Sequence, residues 1–231
     1  MTGGGSMQKT DFRRLWAGLA AMACVLALTL APGTARAGEA DPAADYDRAV
    51  AALSAPELER MRDACDAHDA SLEGTGFTDP FSGTPEEPCA DDPALPDPAG
   101  NGVIGVLEIP AIGVTLPVYY AGMSGDMTLG VEHVAGTGLP GGTPSNCVLA
   151  GRRGLPGAAM LRDIDRLVEG DSFSLRVLGE TMVYRVDAIR VALPEEVDAL
   201  GAPADSDSVT LVTETPFGVN SHRLLVRGTR E

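Results

Sequence analysis

Thr210 to Gly228 reads TLVTETPFGVNSHRLLVRG, and the reading of this stretch decides the fold. Val209 to Val212 mixes β-branched and apolar residues, Thr215-Pro216 and Phe217-Gly218 interrupt the run, and Leu224 to Val226 starts a second apolar run with Arg223 at its foot. The pattern predicts strand, turn, strand, with polar side chains gathered at one end. On composition alone it is a hairpin-like pair in a β core. The same alternation of short apolar runs and turns extends upstream: Val103 to Ile109, Val114 to Tyr119, Asn146 to Ala150, Ser172 to Leu178 and Met182 to Val191. Short strands at such spacing predict a mainly β, closed or sandwich-like core. One short helix is expected over Ala158 to Leu167. A stretch of about 130 residues is long enough to bury a single adequate core.

Toward the amino terminus the pattern changes. Asp41 to Leu72 reads as helix with a break near Ser54, where Ser54 can cap, Pro56 can open the next helix and Glu57 completes a capping box. Gly74 to Gly100 is rich in Pro, Gly, Asp and Glu and reads as loop; so long a loop is usually a lid, a linker or disordered. Arg13-Arg14 precede an apolar segment from Leu15 to Ala31, and Ala35-Arg36-Ala37 supplies a small-x-small end. This is a secretory signal pattern. As helix the segment would span about 25 Å against a roughly 30 Å bilayer core, so a cleaved signal peptide and an uncleaved anchor both stay open. The chain thus divides into 1–37 (signal peptide or anchor), 38–73 (helices), 74–100 (lid or linker loop) and 101–231 (β domain).

The formal net charge is −16, and residues 1–37 hold four of the 17 Lys and Arg but one of the 33 Asp and Glu, so the remainder is more acidic still. Such a field repels nucleic acid and anionic lipid, which disfavours both as partners of the chain after residue 37.

The spelling of five separate stretches adds a family. TLVTETPFGVNSHRLLVRG resembles the carboxyl-terminal signature of the class C, pilus-assembling sortases, in which a strand ends in Thr-Cys-Thr-Pro and a later strand carries Asn-Thr-His-Arg. VLAGRRGLP at Val148 to Pro156 resembles that family's Val-Leu-Thr-Gly-His-Arg-Gly-Leu-Pro. GVLEIPAIGVTLPVY from Gly105, GVEHVAGTGLPGG from Gly130 and VLGETMVYRVDAIRV from Val177 match in the same order. The resemblance covers Gly100 to Arg230. It implies an eight-stranded sortase-type β-barrel with an N-terminal helical region and a lid loop. It also places Glu214 where the family has its nucleophilic Cys, Arg152 where it has the catalytic His, and Arg223 on its catalytic Arg. Asp79-Pro80-Phe81 resembles the family's lid motif, in which the Asp engages a basic residue of the site and the ring covers the nucleophile.

Sortases attack a Leu-Pro-x-Thr-Gly type sorting signal with a thiolate, hold an acyl-thioester and pass the acyl group to an amine. That needs a nucleophile of adjustable pKa, a proton carrier and an electrophilic stabiliser. Glu214 is a poor nucleophile toward an amide, and Arg152 does not surrender a proton at a pKa above about 12. Arg223 keeps its role. Thr213 and Thr215 have no evident base beside them, and no Cys/His spacing suggests zinc or another cofactor. Arg152 and Glu214 carry opposite charges on positions that the family brings together, and they read equally as a converted ligand site or as a structural bridge.

Cys24 lies in the apolar segment and Cys147 in a core strand, which leaves Cys65 and Cys89 on either side of Asp79-Pro80-Phe81. In an exported chain they either pair or remain two thiols. Three functions stay open: an exported, inactive sortase homologue that binds a sorting-signal peptide, a pilin or an active sortase; an enzyme of altered, cysteine-independent chemistry at Glu214 and Arg223; or a decayed remnant.

Overall fold

Asp41 caps the first helix by accepting the amides of Ala43 and Ala44, with Pro42 in the first turn, so α1 runs Pro42–Ala52. Leu53 leaves the helix in an extended conformation. Ser54 then donates its amide and hydroxyl to Glu57 at 2.8 and 2.5 Å, and α2 follows over Ala55–Ser71. The computed structural model describes residues 41–72, 79–82, 96–123, 127–142, 146–153, 159–200 and 207–231. The expected signal segment and Cys89 lie outside them.

Eight strands follow: β1 (Val103–Ile109), β2 (Val114–Tyr119), β3 (Val131–His133), β4 (Asn146–Ala150), β5 (Ser172–Val177), β6 (Glu180–Ala192), β7 (Ser208–Thr215) and β8 (His222–Arg230). They close into a barrel in the order β1-β2-β3-β4-β7-β8-β6-β5. The β2/β3 and β4/β7 pairs are parallel and the other six are antiparallel. Closure leaves no free outer strand, so every strand has two neighbours. Alternation then sorts the side chains: Leu107, Val118, Leu149, Leu175, Leu211 and Val226 fill the interior. A second cluster, with Val134, Val148, Ala150, Val212 and Leu225, lies on the opposite face of β4, β7 and β8.

The helices pack on this barrel through polar as well as apolar contacts. Tyr46 of α1 donates its hydroxyl to the Ile104 carbonyl at 3.0 Å and accepts the Leu178 amide at 2.9 Å. Arg62 of α2 donates to the Leu178 carbonyl at 2.9 Å.

Seven strands lie where the apolar runs place them, with β6, β7 and β8 extended by one to three residues at their ends. Two expectations are corrected. β3 was not expected as a strand; three residues are too few to show alternation, and its neighbours β2 and β4 hold it in place. The helix expected over Ala158 to Leu167 is instead, over the described residues 159–167, a turn followed by a 3-10 helix at Ile164–Arg166. Met160 sits at φ 40, outside the helical region, and Arg153 occupies the Arg162 carbonyl with Nε and Nη2 at 3.1 and 2.8 Å. No helix among the described residues is long and apolar enough to cross a membrane.

Candidate functional site

Strand register assembles the site. β7 and β8 pair with Glu214 opposite Arg223 and Thr215 opposite His222. β4 runs parallel to β7 with Ala150 beside Val212, so two further residues on each chain bring Arg152 next to Glu214. Thr213 donates its hydroxyl to the Gly151 carbonyl at 2.7 Å, and the Gly151 amide donates to the Val212 carbonyl at 3.0 Å, which fixes the two chain ends together. By two-residue alternation Arg152, Glu214 and Arg223 share the face of Ala150, Val212 and Leu225. They stand in one row above that apolar floor.

The four charges are not equivalent. Arg223 forms a two-pronged pair with Asp79, Nε to Oδ1 at 2.6 Å and Nη2 to Oδ2 at 2.7 Å, with both side chains 6% exposed. Its remaining nitrogen, Nη1, donates to the carbonyls of Asn220 and His222 at 3.1 and 3.0 Å. The guanidinium is therefore satisfied on every side described, and the buried carboxylate of Asp79 has its charge matched. Arg152 Nη1 lies 3.6 Å from Glu214 Oε2, with side chains 37% and 15% exposed. That is an ion contact beyond hydrogen-bond length and partly in water.

Residues 79–82 form a tight turn, closed by the Ser82 amide on the Asp79 carbonyl at 3.1 Å. Pro80 sets the turn between the two residues that reach inward. Phe81 packs against the apolar floor, and its ring centroid lies 5.1 Å from Arg223 Cζ, a cation–π distance. Arg223 thus lies between a carboxylate and an aromatic ring, both delivered by a segment 144 residues away in sequence.

The described cysteines stand elsewhere. Cys65 is a buried free thiol on α2, pushed up to about 12 mainly by burial, and only this end of the Cys65–Cys89 pair is described. Cys147 points into the barrel interior, and burial holds its thiol well above the ordinary value. Both remain protonated thiols, without nucleophilic character. Among the described residues no group of three or more His, Cys, Asp or Glu is placed to hold a metal ion.

Two features of the site escaped the sequence reading. The carbonyls of Asn220 and His222 that hold Arg223 carry no side-chain signal; the left-handed Asn220, at φ 58, is what turns the chain to present them. Glu132 of β3 is buried and opposite Ala150, so it shares the face of the site one row below Arg152. Its only sequence signal is an acid in an otherwise apolar short run.

A sequence model of the sortase domain matches residues 107–231. The chain belongs to the sortase family. Its fold is that of the class C sortases: the sortase C1 of GBS pilus island 1 is 33% identical with a TM-score of 0.72, over 82% of this chain and 90% of that one. Sortase C-1 from Streptococcus pneumoniae is 33% identical with a TM-score of 0.72, over 82% and 97%. Sortase C-1 from Actinomyces oris is 39% identical with a TM-score of 0.68, over 75% and 98%. Among curated proteins no match is found. The closed eight-stranded barrel with N-terminal helices is thus a sortase barrel, and the row of Arg152, Glu214 and Arg223 lies at the ends of its β4, β7 and β8.

Proposed function

We propose that this class C sortase-like protein is inactive as a transpeptidase and acts as an exported accessory or binding protein in cell-surface or pilus assembly. The observation that carries the reading is the contact between Arg152 and Glu214, at the two positions that the sortase signatures give to the proton carrier and the nucleophile. A carboxylate attacking an amide would form an anhydride, and a guanidinium has no proton to lend at neutral pH. The described thiols supply no replacement, since both lie away from the site and burial keeps them protonated.

Asp79-Pro80-Phe81 acts in this reading as a closed lid. Two cations, Arg152 and Arg223, each have one anion beside them, Glu214 and Asp79, with no ligand present. A lid locked by a buried two-pronged pair keeps the groove shut, and a partner such as a pilin, a sorting-signal peptide or an active sortase reads the closed outer surface. The test incubates the purified protein with a sorting-signal peptide and an amine acceptor and follows products by mass spectrometry. Intact peptide is expected. Cleavage that survives Cys147→Ala and disappears in Glu214→Ala would overturn the proposal.

A further inference from the structure

The last turns of α2 meet the barrel through a polar cluster separate from the site above. Cys65, His68 and Asp69 share one helix face by their i, i+3, i+4 spacing. Asp69 Oδ1 accepts the Leu139 amide at 2.7 Å, and Gly142 passes so close that a Cβ there would stand 2.5 Å from Asp69 Oδ2. His68 meets His133 of β3 edge-on, ring centroids 6.3 Å apart, while Tyr120 stacks on His133 at 5.5 Å.

His133 is 1% exposed, and its Nε2 lies 3.1 Å from the carbonyls of Thr137 and Gly138. Carbonyls only accept, so Nε2 carries the hydrogen and Nδ1 is the bare nitrogen of a neutral ring. Neither His133 Nδ1 nor His68 Nε2 has a hydrogen-bond partner, and both atoms are buried. A proton added to His133 has only Nδ1 to occupy, a buried nitrogen with no hydrogen-bond partner. The other titratable groups around the ring are Cys65 and Asp69 from α2, Tyr120 after β2 and Cys147 from β4. Burial keeps both thiols neutral, and Asp69, the one anion among them, is held on the Leu139 amide. Glu132, next in the chain, lies on the opposite face of β3.

We propose that the contact between His68 and His133 is an acid-sensitive latch: a proton taken up by His133 releases the carboxyl-terminal half of α2 from the barrel. Burial holds His133 down at about 4, whereas an opened contact returns it to the ordinary 6.5. Linkage then raises the opening constant about 30-fold between pH 7.5 and pH 5.0.

The test is hydrogen exchange on the full-length protein at pH 7.5 and 5.0, corrected for intrinsic rates. Amides of 65–71 should open about 30-fold more readily at pH 5.0, while those of β7 change far less, and His133→Phe should remove the difference. Equal protection of α2 at both pH values overturns the latch. Should His133→Phe fail to fold, imidazole NMR of the unaltered protein decides: His133 should stay neutral with its hydrogen on Nε2 down to pH 5, and titration near 6.5 in the folded state overturns the latch. Exchange at Ser82 reports the lid separately, because Asp79→Ala should raise it at pH 7.5 with α2 still docked.

Discussion

Replacing Asp79 with Ala removes the carboxylate from a guanidinium that is otherwise buried. The remaining donor bonds of Arg223, from Nη1 to two carbonyls, persist, but Nε and Nη2 lose their acceptors. Breaking one partner of a buried pair costs about 3 to 5 kcal/mol if nothing moves. Here something can move. The segment that carries Phe81 can swing away and let water reach Arg223, so the cost is capped by the free energy of opening that segment. Phe81 contributes a cation–π contact of about 1 kcal/mol and its packing on the apolar floor, which together are less than the charge term. The expected result is therefore opening and not unfolding. The Ser82 amide, whose acceptor is the backbone carbonyl of residue 79 and so survives the substitution, should lose at least about 100-fold in protection, equivalent to about 3 kcal/mol. Amides of β7 and β8 should keep theirs. Residue-resolved hydrogen exchange reads both at once. Fast exchange at Ser82 in the unaltered protein, unchanged by Asp79→Ala, would refute the reasoning, because it would mean that the pair does not hold the segment down.

Further outcomes follow from other parts of the molecule. Tyr46→Phe leaves the Ile104 carbonyl and the Leu178 amide without their hydroxyl partner and should cost about 2 to 4 kcal/mol in denaturant melts, whereas a change under about 0.5 kcal/mol would show that water replaces the hydroxyl. Cys65 should resist alkylation in the native protein and react fully once unfolded; a peptide bridged to Cys89 in non-reducing maps would contradict the buried free thiol. Because the folded value of His133 lies below its ordinary one, the unfolded chain binds that proton first, so stability is complete above about pH 6.5 and falls as the pH drops toward 4. The loss between pH 7 and pH 4 should be about 3 kcal/mol and should vanish in His133→Phe.

Much of the barrel was legible because its strands are short apolar runs set off by turn residues. Val209 to Thr213 and Leu224 to Arg227 read in this way although both of their faces are buried, and the pairing of Glu214 with Arg223 follows from the turn between them. β3 was not legible, since Val131–His133 is held by its neighbours and not by its own pattern. The misread helix at Ala158 to Leu167 has a local cause that propensity cannot show: Arg153, fixed at 2.8 Å on Asp165 and on the Arg162 carbonyl, folds the segment back on the end of β4. At the site, the neighbourhood of Arg152, Glu214 and Arg223 was implied by family signatures. The lid resemblance implied that Asp79 engages a basic residue of the site, but neither the choice of Arg223 over Arg152 nor the two-pronged geometry, because charges 144 residues apart carry no spacing signal. Nor could the sequence rank the two ion pairs. Burial does: the Asp79 pair is closed from water, while the Arg152 pair is partly wet and contributes about 0 to 1 kcal/mol.

The central claim is that chemistry is missing from this sortase because of two side chains and not because of the scaffold. Restoring them tests it most directly, with sorting-signal cleavage and amine transfer followed by mass spectrometry in the Asp79→Ala background that opens the groove. Glu214→Cys alone should stay silent, since Arg152 offers the new thiol no proton acceptor. Glu214→Cys with Arg152→His should yield a thioester-linked adduct and transfer product. Product from the protein with Glu214 and Arg152 intact, lost on Glu214→Ala, would contradict the account.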